Sequence, residues 1–146
     1  MKSICLSSVV LAAGLAVWQT TALAAGAPVA APASAEAVEQ LIEKDLVGAP
    51  DKEVLMLTVE YLPGGASLPH RHDAQVFVYV LEGELRMQVA GSPEVTLRRG
   101  QTFYENPSDV HVVSANASKT KPAKILVFML KDKHAPATRD AKAGTP

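Results

Sequence analysis

Residues 64–72 read GGASLPHRH, a glycine-rich turn followed by two histidines, His70 and His72, that are separated by one residue. Pro69 disfavours helical geometry in the residue before it, so we expect an extended chain here. Alternate side chains of a strand share one face, and the two Cα atoms would lie roughly 6.6 Å apart. Both imidazoles would therefore point the same way and could converge on one metal ion.

A third histidine, His111, follows the turn segment 106–109 (NPSD) and opens a further predicted strand. For an isolated pair of alternate histidines, a polar surface feature without an ion is the more common outcome, and the surrounding sequence decides between the two. Imidazole binds zinc, copper, iron and nickel, so the residue type alone does not choose the metal. Three protein ligands would leave coordination positions open for water or a substrate, as in catalytic sites.

Short apolar runs separated by Gly, Pro, Asn and Asp make up residues 53–131. Glu82 and Gly83 lie between two such runs, a pattern typical of a tight hairpin. The runs predict strands over 54–61, 76–81, 84–90, 95–98, 101–105, 110–115 and 123–130. Short strands at regular spacing predict an all-β sandwich or barrel.

Two segments beside this region carry different patterns. Residues 36–47 predict a short helix, because their apolar side chains fall at helical spacing, and residues 48–52 lead into the first strand. The apolar stripe consists of Val38, Leu41, Ile42 and Leu46. We expect the helix to pack against the β domain or a partner subunit. Residues 132–146 are polar and contain prolines, which predicts a flexible tail.

Residues 1–24 have the pattern of a secretory signal peptide: Lys2 near the start, an apolar run over 4–18 and the small-residue site Ala22-Leu23-Ala24. The alternative is a membrane anchor, which the polar residues within and after the apolar run disfavour. Residues 25–35 are rich in Ala and Pro and predict a flexible linker. We therefore expect a periplasmic or secreted protein with no stable membrane insertion after cleavage.

Composition argues against several classes of function. The formal net charge is -1 and Lys and Arg are scattered, so no basic surface that would attract nucleic acid is predicted. Cys5 is the only cysteine, and it lies in the predicted signal peptide. The mature chain would therefore have neither an internal disulfide nor a thiolate metal site.

Two motifs resemble those of the cupin superfamily. Gly64, His70, His72 and Gly83 are in register with the first motif, which has a glycine, HxH, a glutamate and a later glycine. The second motif has a glycine, a proline, a histidine and an asparagine. Gly100, Pro107, His111 and Asn116 are similar to it, with one extra residue before the proline and one before the asparagine. The resemblance covers about residues 53–131 and implies a single cupin-type barrel, a double-stranded β-helix or jelly roll, preceded by the short helix.

The sequence departs from the family's motif at one metal ligand. The family's ligating glutamate would fall at position 76, where this chain has Val76. A bulge at Asp73 and Ala74 would turn Gln75 inward as an amide-oxygen ligand. Glu105 would instead reach in from another strand end as a carboxylate. In the third alternative, water completes a three-histidine site.

The resemblance implies one divalent transition metal ion (iron, manganese, zinc, nickel or copper) held by His70, His72 and His111. Three functions stay open, because one barrel supports many activities. The first is an enzyme acting on a small molecule, with Glu105 as a candidate base. The second is a non-enzymatic module that binds or senses a small ligand or metal, and the third is a structural or interaction protein with a vestigial site. A homodimer is expected, through an edge strand or residues 38–46.

Overall fold

The computed structural model describes residues 35–107 and 109–141, which form ten β-strands. The strands are β1 (Glu36–Asp45), β2 (Lys52–Tyr61), β3 (His70–Arg71), β4 (Ala74–Glu82), β5 (Glu84–Val89), β6 (Val95–Arg98), β7 (Thr102–Glu105), β8 (Val110–Asn116), β9 (Ala123–Asp132) and β10 (Arg139–Asp140). Within these ranges no helix is long and apolar enough to cross a membrane. The predicted signal peptide and residues 25–34 of the predicted linker lie outside the described residues.

The strands form two antiparallel sheets of five strands each. The first sheet has the order β1-β2-β9-β4-β7, and the second has the order β10-β3-β8-β5-β6. The chain changes sheet at every connection except those from β1 to β2 and from β5 to β6. The predicted all-β class is confirmed, and each of the seven strands predicted from the sequence has a counterpart, from β2 to β9 with β3 as an additional short strand.

Alternation along the strands builds the core between the sheets. In β4, Ala74, Val76, Val78 and Val80 are buried, and the side chains between them are exposed. β9 contributes its own buried alternate positions, and Leu85 of β5 closes the core from the second sheet. Burying each of the larger apolar side chains stabilises the fold by about 1.5–3 kcal/mol.

Gly83 connects β4 to β5 in a turn that a larger residue would not fit. Its φ is 73°, in the left-handed region that favours glycine. A Cβ at this position would lie 2.6 Å from the carbonyl oxygen of Pro122. The predicted tight hairpin is not present, because β4 and β5 lie in different sheets and do not pair with each other. The chain turns at Gly83 from the first sheet to the second, and both the backbone angle and the packing at this turn require glycine.

Residues 36–45 form the strand β1, and the predicted short helix is not present there. β1 pairs with β2 along its length, with a bulge between Gln40 and Ile42. The bulge reverses the alternation of side chains, so that Val38, opposite the buried Val59, and Ile42, opposite the half-buried Met56, lie on opposite faces of the sheet. A helix of this length is marginal in water by itself, whereas pairing satisfies the backbone groups on one edge of β2.

The segment predicted as a flexible tail is paired over part of its length. β10 pairs with β3, so that Arg139 lies opposite Arg71 and Asp140 lies opposite His70. Nearer to β9, the buried Lys131 ammonium group contacts the Glu53 carboxylate and donates to the carbonyl oxygen of Ala135 at 2.8 Å. These contacts hold residues 133–141 against the β domain.

Candidate metal site and ligand cavity

A cavity of about 270 Å³ lies between the two sheets. Two groups of polar side chains line it. The first group, called here the histidine end, is His70, His72, His111 and Glu105. The second group, called the tyrosine end, is Tyr61, Ser67, Ser114 and Glu36. Apolar side chains line much of the remaining wall, including Val59, Val76, Val78, Ile125 and Val127 of the first sheet.

The three predicted histidines lie together at the histidine end. His70 in β3 is paired with His111 in β8, and His72 directly follows β3. The ring centroids are 5.0 Å apart for His70 and His72, 5.3 Å for His70 and His111, and 5.9 Å for His72 and His111. Residues far apart in the chain are therefore close in space because two neighbouring strands present them to one cavity.

Backbone carbonyl groups orient two of the imidazoles. Nδ1 of His70 lies 2.7 Å from the carbonyl oxygen of Leu68, and Nδ1 of His72 lies 2.5 Å from that of Ala137. A carbonyl oxygen only accepts, so each Nδ1 carries a hydrogen and donates it. Nε2 of each ring remains for a metal ion, an arrangement typical of histidine ligands. Burial lowers the pKa of His72, which favours the neutral imidazole that metal binding requires.

Glu105 brings a carboxylate to the histidine end from β7. It is paired with Val76 across the β4–β7 ladder, and directly opposite residues of an antiparallel pair point to the same face. Its side chain is buried, and Oε2 lies 2.9 Å from Nε2 of His111 and 3.5 Å from Nε2 of His72. The carboxylate absent at position 76 is thus present on the neighbouring strand, beside the same two imidazoles.

Several buried polar atoms at the histidine end have no hydrogen-bond partner. They are Oε2 of Glu105 and both ring nitrogens of His111. Oε2 and Nε2 are close, but their geometry is not that of a hydrogen bond. Because unpaired buried polar groups are costly, their presence in one cluster fits a bound cation that would satisfy the atoms facing it.

The side chains do not form a complete ligand set as they stand. Across residues 35–107 and 109–141, no three His, Cys, Asp or Glu side chains are grouped closely enough to hold an ion. Two donors at right angles around one ion lie about 3.0 Å apart when each bond is about 2.1 Å. The 2.9 Å between Glu105 and His111 matches that separation. Nε2 of His72 lies 3.5 Å from the same Glu105 oxygen.

Gln75 does not point into the cavity, in contrast to the bulge proposed from the sequence. Its side chain is exposed, whereas its neighbours Ala74 and Val76 are buried. The pairing of β4 with β9 is regular from Ala74 to Val80, so no bulge reverses the face of Gln75. The structure therefore removes Gln75 as a candidate ligand and leaves Glu105 or water.

The C-terminal segment covers one side of the histidine end. Ala137, Thr138 and Asp140 line the cavity, and the Ala137 carbonyl is the group that accepts from His72. An ion pair between Arg139 and Asp73, with Nε and Oδ2 2.5 Å apart, joins this segment to the loop after β3. A segment that was expected to be a flexible tail thus contacts a candidate metal ligand.

No sequence motif marks the tyrosine end. Tyr61 on β2, Ser114 on β8 and Glu36 on β1 come from three strands, and Ser67 precedes β3. Tyr61 is only 2% exposed, and burial raises its pKa, so the phenol stays neutral across the ordinary pH range. The one sequence signal is the alternation of β2 and β8, which places Tyr61 and Ser114 at buried positions.

Comparison with known proteins agrees with this architecture. The model of the cupin domain family matches residues 57–129, half of the 146 residues, and the chain belongs to this family. No curated protein matches the chain.

Solved structures give the same fold. An oxalate oxidase in complex with the substrate analogue glycolate is 26% identical, with a TM-score of 0.58; the match covers 77% of this chain and 57% of that one. The present chain thus spans little more than half of the oxalate oxidase. A polyketide cyclase from Streptomyces resistomycificus is 20% identical over 75% of this chain and 73% of that one, with a TM-score of 0.57. A DMSP lyase from Ruegeria pomeroyi is 20% identical over 76% of this chain and 54% of that one, with a TM-score of 0.59. The last two show the fold alone.

Proposed function

We propose that this protein is an exported cupin that binds one divalent transition metal ion and holds a small molecule beside it, as substrate or ligand. The proposed metal ligands are His70, His72, His111 and Glu105. The observation that supports this proposal is the meeting of three imidazoles with a buried carboxylate whose inner oxygen has no hydrogen-bond partner.

Two further parts of the proposal concern location and assembly. Export rests on the signal pattern of residues 1–24. A homodimer through β1 is supported by the exposed apolar side chains Val38, Leu41 and Ile42, which lie on an edge strand of the first sheet.

The residues at the histidine end have separate tasks. Glu105 is proposed as a ligand and not as a free base, because its carboxylate contacts two imidazoles. His72 is held in one orientation by the Ala137 carbonyl, so its Nε2 faces the site. The apolar wall beside them excludes water and strengthens electrostatic interactions with a bound molecule. A bound ion would supply Lewis-acid polarisation of an oxygen atom of that molecule. The similar oxalate oxidase in complex with the substrate analogue glycolate supports a small oxygen-bearing compound as the class of molecule bound.

The test is a metal count on protein exported by the host. We expect about one first-row metal ion per chain in the wild type, and loss of tight binding in His72→Ala, because too few donors then remain. His134→Ala is the matched control, since His134 does not line the cavity. Metal retained at the wild-type level in His72→Ala would refute the proposed ligand set.

A second measurement separates enzyme from binding module. Metal-loaded protein is screened for oxygen uptake and for turnover of small phenols, diketones and hydroxy acids. Turnover that disappears in His72→Ala would assign an enzymatic function. A compound that raises the midpoint of thermal unfolding without being converted would assign a binding function.

A further inference from the structure

The four side chains of the tyrosine end are linked in a chain of hydrogen bonds. Oη of Tyr61 lies 2.8 Å from Oγ of Ser67 and 2.9 Å from Oγ of Ser114. Oγ of Ser67 in turn donates to the Glu36 carboxylate. The β1–β2 ladder places Glu36 directly opposite Tyr61, and the Ser67 amide donates to the Ser114 carbonyl at 2.9 Å, so the backbone holds the group together.

These contacts use the hydroxyl hydrogen of each of the three hydroxyl side chains at the tyrosine end. A carboxylate has no hydrogen to give, so Ser67 donates to Glu36. Tyr61 must then donate to Ser67, and Ser114 must donate to Tyr61 in preference to the Met87 sulfur 3.5 Å away. Each hydroxyl oxygen has two lone pairs, and Tyr61 and Ser67 each use only one within this chain. Both oxygens thus keep acceptor capacity, and neither has a hydrogen left to donate.

The tyrosine end and the histidine end are a fixed distance apart. Ser114 follows His111 by three residues on β8, and Ser67 precedes His70 by three residues. Three residues span roughly 10 Å at most, when fully extended, and the two offsets run in matching directions because β3 and β8 are antiparallel. A short molecule that reaches one end with a metal-binding group would therefore reach the other end with its opposite group.

The charges around the cavity have one sign. Among the described residues that line it, the carboxyl groups are Glu36, Glu105 and Asp140, and none of the lining residues is Lys or Arg. An anionic group at the tyrosine end would face the Glu36 carboxylate, and no Lys or Arg among the described lining residues would pair with that anionic group. Burying such a group is costly unless it is paired.

We propose that the tyrosine end is a recognition subsite for a hydrogen-bond donor, a hydroxyl or protonated amine, at the far end of a ligand whose other end faces the metal ion. The ligand class is a short molecule with an apolar middle and a neutral or cationic far end. Tyr61 and Ser67 accept from it, and Glu36 sets the direction of their hydrogens. This inference rests on the proposed function for its anchor at the histidine end.

The test uses zinc-loaded protein and hydroxamates of five- and six-carbon acids, because a hydroxamate binds the metal and the flexible chain allows for small errors in length. Each chain carries one of three ends: a methyl, a hydroxyl or a carboxylate. We expect the hydroxyl probe to bind about fivefold to tenfold more tightly than the methyl probe, and the carboxylate probe to bind most weakly.

Two variants assign the preference to this subsite. In Tyr61→Phe and in Ser67→Ala, the advantage of the hydroxyl probe should disappear while the methyl probe binds as in the wild type, which also shows that the site is folded. Tyr104→Phe is the control, because Tyr104 is exposed on the outer face of the first sheet and its loss should change nothing.

The outcomes separate this inference from the function on which it rests. If no probe binds, the metal-anchored site is refuted, and this subsite with it. If all three ends bind equally, or if the hydroxyl advantage survives in Tyr61→Phe and Ser67→Ala, the metal site stands and the subsite is wrong.

Discussion

Buried polar groups at the two ends of the cavity differ in whether they have hydrogen-bond partners. At the histidine end, Oε2 of Glu105 and the ring nitrogens of His111 are buried without hydrogen-bond partners. At the tyrosine end, the three hydroxyl hydrogens of Tyr61, Ser67 and Ser114 are all used within the chain of side chains. Buried atoms without partners at the histidine end suit an ion that the chain does not supply. At the tyrosine end every hydroxyl hydrogen is donated while Tyr61 and Ser67 can still accept, which suits recognition of a hydrogen-bond donor. The cavity therefore has one end suited to binding a metal ion and another suited to recognising the far group of a ligand.

The largest effect is expected from Glu105→Gln, which tests whether the histidine end binds the metal ion. We expect metal affinity to fall by about a hundredfold, because Glu105 contacts two imidazoles and even indirect partners of metal ligands are worth about tenfold to a hundredfold. In metal-free protein the same change should raise the free energy of unfolding by about 1 kcal/mol, because it removes a buried charge that lacks a partner. Metal titration and chemical denaturation with and without a chelator measure both.

The essential result for Glu105→Gln is that the change in the free energy of unfolding has opposite signs in metal-free and metal-loaded protein. A variant that is destabilised to the same extent with and without metal would show that Glu105 has a structural role only. Gln75→Glu is a useful companion, since Gln75 is exposed and lies on the other face of β4. It should leave metal affinity unchanged.

A smaller effect is expected from removing the C-terminal segment. A chain that ends at His134 loses the Ala137 carbonyl, which accepts from His72, and loses β10. We expect metal affinity to fall about tenfold, the lower limit for losing the partner of a ligating histidine. A chain that ends at Ala141 is the matched control and should bind metal as the full chain does. Equal affinities for the two truncated chains would show that the segment does not orient His72.

The smallest effect is expected at the tyrosine end. Tyr61→Phe removes one hydroxyl from a network in which every hydroxyl hydrogen is donated, which should lower the free energy of unfolding by about 1 kcal/mol and leave metal affinity unchanged. The pKa of Tyr61 is raised by burial above its ordinary value of 10.0, so the folded state keeps the proton longer than the unfolded state. The wild type should therefore lose this part of its stability as the pH rises above about 10, and Tyr61→Phe should not. A change in metal affinity in Tyr61→Phe would contradict the division into two ends.

Much of the fold could be predicted from local patterns. Strand alternation and turn residues predicted β2 and β4 to β9 closely, because each strand carries its own buried and exposed positions along the chain. β1 was predicted wrongly as a helix, because its apolar residues fall at helical spacing and its pairing with β2 is a long-range contact that no local pattern specifies. The C-terminal pairing was missed because β10 has only two residues, too few to carry a pattern.

The candidate site was predictable in part. His70 and His72 share a face by strand geometry, and His111 was placed beside them by its resemblance to the second motif. The choice between Gln75 and Glu105 could not be made from spacing, because Glu105 enters from a different strand. Its position opposite Val76 depends on the β4–β7 register, which no local pattern specifies.

The amino-acid sequence by itself determined the class of fold, the three imidazoles and the absence of a glutamate at position 76, because residue identity and the two-residue period of a strand are local properties. The tertiary structure decided that Glu105 fills the place beside Val76, that the Ala137 carbonyl orients His72, and that Glu36, Tyr61, Ser67 and Ser114 form one chain of hydrogen bonds. These contacts join residues from different strands, and only the register of the sheets, set by packing over the whole domain, brings such residues together.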